Sequence, residues 1–326
     1  VSTANHKPAK SKWQKLSFWF VGALILSGLI LLVTHFSELE HFVKLIRQAD
    51  PRWLILAIVL QFSTYICVAA VWFIALRSAG HPHSFMSLIP LGVAKLFSDQ
   101  AMPSGGMSGT AFFISALNHR GIPTSICMAT LLLSLVSYYG AYLIAALVTI
   151  LLLWFYHAIN IWIVFVVIVF CLIAVGTPAG AFWLRSLGKS ELPKLLQRIP
   201  GLSTLMNAFS NAPQELLRKS SLIIKATFLH GSVFVLDAIT LWVMLQVVGV
   251  HASFWITFPS FVLASMVATI GPVPLGLGTF EASCVGMLNV LGIPVEAALT
   301  ATLLLRGFTL WLPMLPGMWL AKRALQ

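Results

Sequence analysis

Charge is what this sequence has least of. Only 9% of its 326 residues are Asp, Glu, Lys or Arg, where a soluble domain carries about 25%. That scarcity excludes a soluble enzyme and a disordered tail, both of which need a solvated surface. Acids are scarcer than bases, nine against twenty, and the net charge is +11. In a soluble chain such an excess would suggest nucleic acid as a partner. A nucleic-acid binder concentrates its bases on a wet face, however, and a mean hydropathy of +0.94 leaves little of one, so no nucleic acid is expected. Cysteine is also rare. Cys67, Cys127, Cys171 and Cys284 each lie in apolar sequence with no CxxC or Cys/His spacing, which excludes a disulfide framework and a zinc site. Walker A, GxSxG and HExxH motifs are missing, and GLGTF at 276–280 lacks the spacing and preceding strand of a dinucleotide fingerprint. Hydrolase or transferase chemistry and a cofactor are therefore not expected.

What the chain has instead is apolar length, with 59% hydrophobic residues. A helix crossing a hydrocarbon core of about 30 Å needs roughly 20 mostly apolar residues. Six segments qualify: 16–36, 53–76, 123–153, 159–184, 222–248 and 296–321. The first follows Lys7, Lys10, Lys12 and Lys15. It is too long for a signal h-region and has no small-residue cleavage site after it, so it reads as an uncleaved span. Two further apolar regions, 85–118 and 254–291, are each interrupted by Pro and Gly, in AMPSGGMSG at 101–109 and GPVPLGLG at 271–278. Proline removes a backbone donor and glycine loosens a helix. Non-helical backbone at membrane depth survives only inside protein or beside a wet cavity. Both regions are expected to be re-entrant helical hairpins that enter and leave on one side.

Charge tests that topology. With the N-terminus cytoplasmic, the cytoplasmic pieces hold fifteen bases and two acids, the outer pieces three bases and four acids, and the bilayer Lys95, Arg306, Asp99, Asp237 and Glu281. This is a strong positive-inside bias, which a full crossing by either hairpin would break. Ser37 and Glu40 have the spacing of a capping box ahead of a short interfacial helix over 37–50. The loop from Arg185 to Lys225 reads as an amphipathic connector on anionic headgroups. Trp13, Trp19, Trp53, Trp154, Trp162, Trp255 and Trp311 lie mostly near span ends, as an aromatic belt does.

Sliding the chain by 171 positions places Pro103 on Pro274, Gly105 on Gly276, Asn118 on Asn289, and Gly121-Ile122-Pro123 on Gly292-Ile293-Pro294. A one-residue slip then aligns ATLLL at 129–133 with ATLLL at 301–305. The expected fold is thus an all-α polytopic membrane protein with six transmembrane helices and two re-entrant hairpins arranged as an inverted repeat. Its parts are 1–52 (basic N-terminus, first span, interfacial helix), 53–155 (repeat 1), 156–221 (a span and the cytoplasmic loop) and 222–326 (repeat 2).

Intramembrane polar residues are rare and face a cavity or a partner. Lys95 and Asp99 are one turn apart. They either neutralise each other, or ligand competes for Lys95 while Asp99 takes a proton. Glu281, just past Gly278, is either a favourable acid in a first helical turn or the partner of Arg306. Arg306 needs an anion, Glu281 or a lipid phosphate that its planar fork can grip. The first hairpin tip, with Ser104, Gly105, Ser108 and Thr110, offers hydroxyls and N–H groups to an anionic headgroup beside a helix start, or its glycines serve close packing. Gly276 and Gly278 play the same part in the second hairpin. Asp237 is a proton-coupling group or a buried neutral acid, and His230, a turn or so earlier, could share its proton.

The arrangement resembles the transmembrane region of the lysylphosphatidylglycerol synthase family, also called flippase-like domain proteins, over nearly the whole chain. The residues that carry the resemblance are Pro274, Gly276, Gly278 and Glu281 of PLGLGTFE, Arg306 in the following span, and PSGG at 103–106 followed by LNHRGIP. The family often has two glycines after the proline of the second motif, where this chain has Leu275-Gly276-Leu277-Gly278. The resemblance implies a multi-pass inner-membrane protein that binds lipid and moves it between leaflets. Full-length relatives continue into a soluble aminoacyl-transferase domain; the expectation here is a standalone member without one.

The functional expectation is a lipid translocase for a lipid with an anionic or phosphate-bearing headgroup, coupled to protons through Asp99, Glu281 or Asp237. The competing classes are a non-transporting lipid-binding or scaffold protein of a lipid or glycolipid pathway, and a membrane-embedded enzyme using the carboxylates. Membrane lipids, a second copy of the chain and a lipid-biosynthesis enzyme are the partners to consider. Single cysteines near His119 and near His251 should label from opposite sides of the membrane with an impermeant maleimide; labelling from one side breaks the inverted arrangement.

Overall fold

Hydrocarbon leaves a backbone no partner but itself, and among the described residues every regular element is a helix. The computed structural model describes residues 50–101, 107–187, 215–271 and 273–324. The expected first span, nearly all of the interfacial segment, most of the long loop, and Ser104 and Gly105 lie outside the described residues. The helices are α1 (Pro51–Ser78), α2 (Phe85–Ala101), α3 (Met107–Asn118), α4 (Thr124–Phe155), α5 (Ile161–Leu187), α6 (Glu215–Arg218), α7 (Ser220–Val247), α8 (Phe254–Ile270), α9 (Thr279–Val290), α10 (Val295–Arg306) and α11 (Leu312–Ala324). A π-helical turn, Gly307–Trp311, joins α10 to α11 as one apolar helix, Val295–Ala324.

Five helices are long and apolar enough to cross a membrane: α1, α4, α5, α7 and the α10–α11 helix. They coincide with the five expected spans inside the described residues. Their ends have local causes. At the start of α1 the Asp50 carboxylate accepts the Arg52 N–H at 2.9 Å, and Pro51 lies in the first turn, where its missing donor costs nothing. The π turn widens the helix ahead of Pro313 and Pro316, prolines that remove donors an α-helix would use.

The two hairpin regions are built alike. Helices α2 and α8 are both 17 residues long, begin with Phe and carry an internal proline at the sixth position, Pro90 and Pro259. Helices α3 and α9 are both 12 residues long. The turns that follow also match. Gly121 and Gly292 have φ of 78° and 91°. Each donates to an asparagine carbonyl, Asn118 or Asn289, at 2.9 Å. Ile122 and Ile293 then reach back to Leu117 and Leu288 at 3.1 and 2.9 Å. This is a glycine-dependent helix stop followed by a proline-capped start. The helices before the hairpins stop the same way, at Gly80 and Gly249, with φ of 80° and 83°.

Contacts along the helices fix their directions. Trp53 stacks edge-on with Trp242 at 6.0 Å, Gln61 bonds Asp237, and Lys219 reaches Ser78, so α1 and α7 run antiparallel. Along α4 and α7, Ser134 meets His230 at 3.2 Å and the rings of Tyr142 and Phe234 lie 4.5 Å apart. The starts of these two helices, Ile126 to Leu133 and Leu222 with Ala226, share one buried cluster, so they run parallel. That cluster also takes in the end of α1, the start of α2, the end of α3 and, packed against it, the end of α11. Arg120, just past α3, donates to the Ser87 carbonyl at 3.2 Å, tying the last residues of the first hairpin region to its first. Arg77, Arg120, Arg218, Lys219, Lys322 and Arg323 lie at the helix ends nearest this cluster, whereas the far ends of α1 and of the α10–α11 helix carry Asp50, Arg52 and Glu296. Between the two expected repeats, α2 packs on α11 and α8 packs on α4.

The α2–α11 contact is close. A Cβ on Gly317 would lie 2.5 Å from Phe97 Cβ and 3.2 Å from the Val93 carbonyl, whereas one on Gly286 meets nothing within 4 Å. Gly317→Ala should therefore lower thermal stability in detergent, by about 1 to 3 kcal/mol as overpacking does, while Gly286→Ala should not. A melting-temperature comparison of the two variants decides it.

Candidate functional site

The second hairpin turns through Leu275, Gly276 and Gly278, whose φ values are 60°, 65° and 76°. A leucine at positive φ is strained, and needs surrounding contacts to hold it. Glycine at 276 is required twice, because a Cβ there would also come within 2.5 Å of Ala268 Cβ. Helix α9 then begins at Thr279, whose hydroxyl donates to the Gly276 carbonyl at 3.0 Å, and Glu281 stands in its first turn. There the partial positive charge of the helix start favours an acid.

Arg306, the last residue of α10, closes this turn. Its Nε donates to Glu281 Oε1, its terminal nitrogen donates to the Leu275 carbonyl at 2.9 Å, and its guanidinium lies 5.0 Å from the centroid of the Phe280 ring. Both charged residues are buried, Glu281 at 7% and Arg306 at 8% exposure. One side chain thus satisfies an acid and clamps the strained residue of the break. The second carboxylate oxygen, Glu281 Oε2, is buried with no hydrogen-bond partner among the described residues. The π turn follows Arg306 directly, and such turns recur at functional positions.

The first hairpin carries a comparable pair by a different route. Lys95 Nζ donates to Asp99 Oδ2 at 2.8 Å, and Asp99 Oδ1 accepts the Gly109 N–H at 2.8 Å, near the start of α3. The carboxylate thereby occupies the position that a helix start offers to an anion. A side chain at 109 would overlap it, which explains the glycine. Ser108 donates to the Ser98 carbonyl at 2.8 Å, and Thr110 lies in the same first turn. Lys95 and Asp99 are more open than the second pair, with 24% and 21% of their side chains exposed. Gly276 is buried and Gly278 exposed. Among the described residues no hydrogen bond or ion pair joins Lys95 to Arg306, and each pairs within its own hairpin region.

Asp237 lies in the seam between α1 and α7. Gln61, buried on α1, donates to Asp237 Oδ1 at 2.9 Å and reaches the Thr240 hydroxyl at 3.4 Å. Gln61 is not among the polar residues expected from the sequence, although an amide in the middle of a span is itself a signal. His230 does not share a proton with Asp237: it lies seven residues away, about two turns, and bonds Ser134 on α4. An apolar groove of ≈ 530 Å³ along α5, lined by Val167, Ile168, Cys171, Leu172, Val175 and Gly176, includes none of these polar groups. Among the described residues no His, Cys, Asp and Glu cluster could hold a metal ion.

Removing one partner of a buried pair strands the other charge. Glu281→Ala should cost about 3 to 5 kcal/mol, and adding Arg306→Met should recover part of that loss but not all, because the Leu275 carbonyl then loses its donor. Melting temperatures of the single and double variants in detergent check this.

The chain has sequence relatives over most of its length. A UPF0104 membrane protein of Methanocaldococcus jannaschii is 24% identical over 322 residues, covering 90% of this chain and 91% of the relative. Another UPF0104 membrane protein, from Methanothermobacter thermautotrophicus, is 20% identical over 310 residues, covering 90% of each. The family model for the lysylphosphatidylglycerol synthase transmembrane region matches residues 19–317, and the chain belongs to that family.

Proposed function

We propose that the protein is a multi-pass translocase of the cell inner membrane that moves a lipid with an anionic or phosphate-bearing headgroup between leaflets. The observation that carries this reading is the pairing of a broken helix with an acid and a base, made once in each of two similarly built units. Half-helix starts with charged groups beside them are how transporters hold a polar substrate within the membrane. In this reading the headgroup meets Lys95, Ser104, Gly105, Ser108 and Thr110 at one hairpin and Arg306, Gly276 and Gly278 at the other. The acyl tails stay in the bilayer.

The two units form an inverted repeat, and the hairpins re-enter from opposite sides. Support comes from the antiparallel α1 and α7, the packing of α2 on α11 and α8 on α4, and the common helix lengths and turns. With the base-rich ends cytoplasmic, both termini lie inside. Proton coupling uses Asp99, Glu281 or Asp237. Of these three, Asp99 and Glu281 are in ion pairs, and Asp237 bonds a neutral amide.

The test uses proteoliposomes carrying tail-labelled fluorescent lipids and a membrane-impermeant quencher, with and without an imposed pH gradient. The inner-leaflet pool should become quenchable. Arg306→Lys retains the charge but not the planar fork, and should slow the exchange about tenfold or more, without loss of folding. A pool that stays protected for every lipid class removes the translocase reading and leaves a lipid-binding or scaffold role.

A further inference from the structure

Of the acids at membrane depth, Asp99 is neutralised by Lys95 and Glu281 by Arg306. Asp237 is the exception. It lies near the middle of α7, and among the described residues no Lys, Arg or His pairs with it. What it receives is a neutral amide: Gln61 Nε2 donates to Oδ1 at 2.9 Å, and the same nitrogen reaches the Thr240 hydroxyl at 3.4 Å. The helices packed on α7 bring it no base either. Tyr65 on α1 and Tyr138 on α4 are the titratable side chains near enough to feel its charge. Helix α8 carries no titratable residue, Arg306 on α10 is held by Glu281, and Glu296 stands in the first turn of α10. Glu215 and Arg218 of α6 adjoin the start of α7, and on α7 itself His230 bonds Ser134. Unlike Glu281, Asp237 keeps accessible surface, and so does Tyr138, which is 37% exposed near the middle of α4.

We infer that Asp237 is the proton-binding site of this protein, with Oδ1 held by Gln61 and Oδ2 carrying the proton. Its use in transport rests on the lipid-translocase reading, and it singles out one of the three acids named there. An ionised carboxylate without a counter-charge is expensive at this depth, and one positive charge removes the cost. A proton suits the site better than a metal ion does. A metal ion needs several oxygen ligands, but Gln61 turns its N–H group to Asp237, and the Thr240 hydroxyl is spent on the Leu236 carbonyl at 2.9 Å. A donor on one carboxyl oxygen leaves the other free to be protonated. At Asp99 and Glu281 a proton would instead compete with a fixed cation. The Gln61–Asp237 bond joins α1 to α7, one helix from each expected repeat, so gain and loss of the proton change the charge in the seam between them.

Dicyclohexylcarbodiimide tests this without an assay of transport, because it is apolar and forms a stable N-acylurea with a carboxyl that carries a proton in an apolar setting. With the full chain in native membranes, peptide mapping by mass spectrometry should find the adduct on Asp237, falling about tenfold or more between about pH 5 and about pH 9. At the acid end, Asp99 and Glu281 should carry about tenfold less of it, because their ion pairs keep them charged. Replacing sodium by N-methylglucamine should leave the labelling unchanged. Protection of Asp237 by sodium at constant pH assigns a metal ion and overturns the inference. So does an Asp237 that stays unlabelled at every pH, or labelling spread equally over the three acids. In proteoliposomes, Asp237→Asn should abolish any acceleration of lipid exchange by an imposed pH gradient, and acceleration that survives overturns the coupling role of this site. If no lipid moves in the wild type while Asp237 labels as expected, the translocase reading fails and the proton site stands.

Discussion

Hydrocarbon offers no hydrogen-bond partner, so a chain that breaks its helices inside a membrane must supply partners for the backbone and charges that the break exposes. Each hairpin of this protein meets that constraint locally. At the first, the Asp99 carboxylate takes an N–H of the next half-helix and is itself neutralised by Lys95. At the second, Arg306 takes both the Glu281 carboxylate and the carbonyl of the strained Leu275. A break without such groups would leave its donors and acceptors unpaired in a medium that makes the loss expensive. On the proposed function, the groups that make the break tolerable are also the ones that exchange their internal partner for a polar ligand. Structural and functional readings of these residues therefore differ in what competes for them rather than in where they sit.

The two hairpins reach this state with unrelated residues. The base precedes the acid by one turn in the first, and follows it by 25 residues in the second. What they share is backbone: helices of the same lengths, internal prolines at the same position, and the same glycine-stopped, proline-started turn. Chain geometry is thus common to both units while the chemistry differs.

Much of this was legible in the sequence, for physical reasons. Length and hydropathy located the five spans within the described residues, because a span is defined by a run of apolar residues and little else. Helical spacing made the Lys95–Asp99 pair one of two readings, and the Glu281–Arg306 pair was one of two options for a buried arginine. The equivalence of Pro90 and Pro259 was hidden because they are 169 positions apart, two short of the register that aligns the breaks. Contacts made by neutral groups were invisible for a different reason. Gln61 to Asp237, Ser134 to His230 and Gly109 to Asp99 join different helices, and nothing in composition or periodicity specifies which faces meet. The π turn after Arg306 is likewise not specified by apolar periodicity.

The central claim is that two similarly built units face one another in opposite senses across the α1–α7 seam, since alternating exposure of a site between them depends on that relation. The most direct measurement is cross-linking with a bismaleimide long enough to replace two indole side chains, in a chain freed of its native cysteines. Cysteines replacing Trp53 and Trp242, whose rings lie 6.0 Å apart, should be joined in native membranes, and cysteines replacing Trp53 and Leu222 should not. Cross-linking of the second pair in place of the first would mean that the two helices run parallel, and would contradict the account.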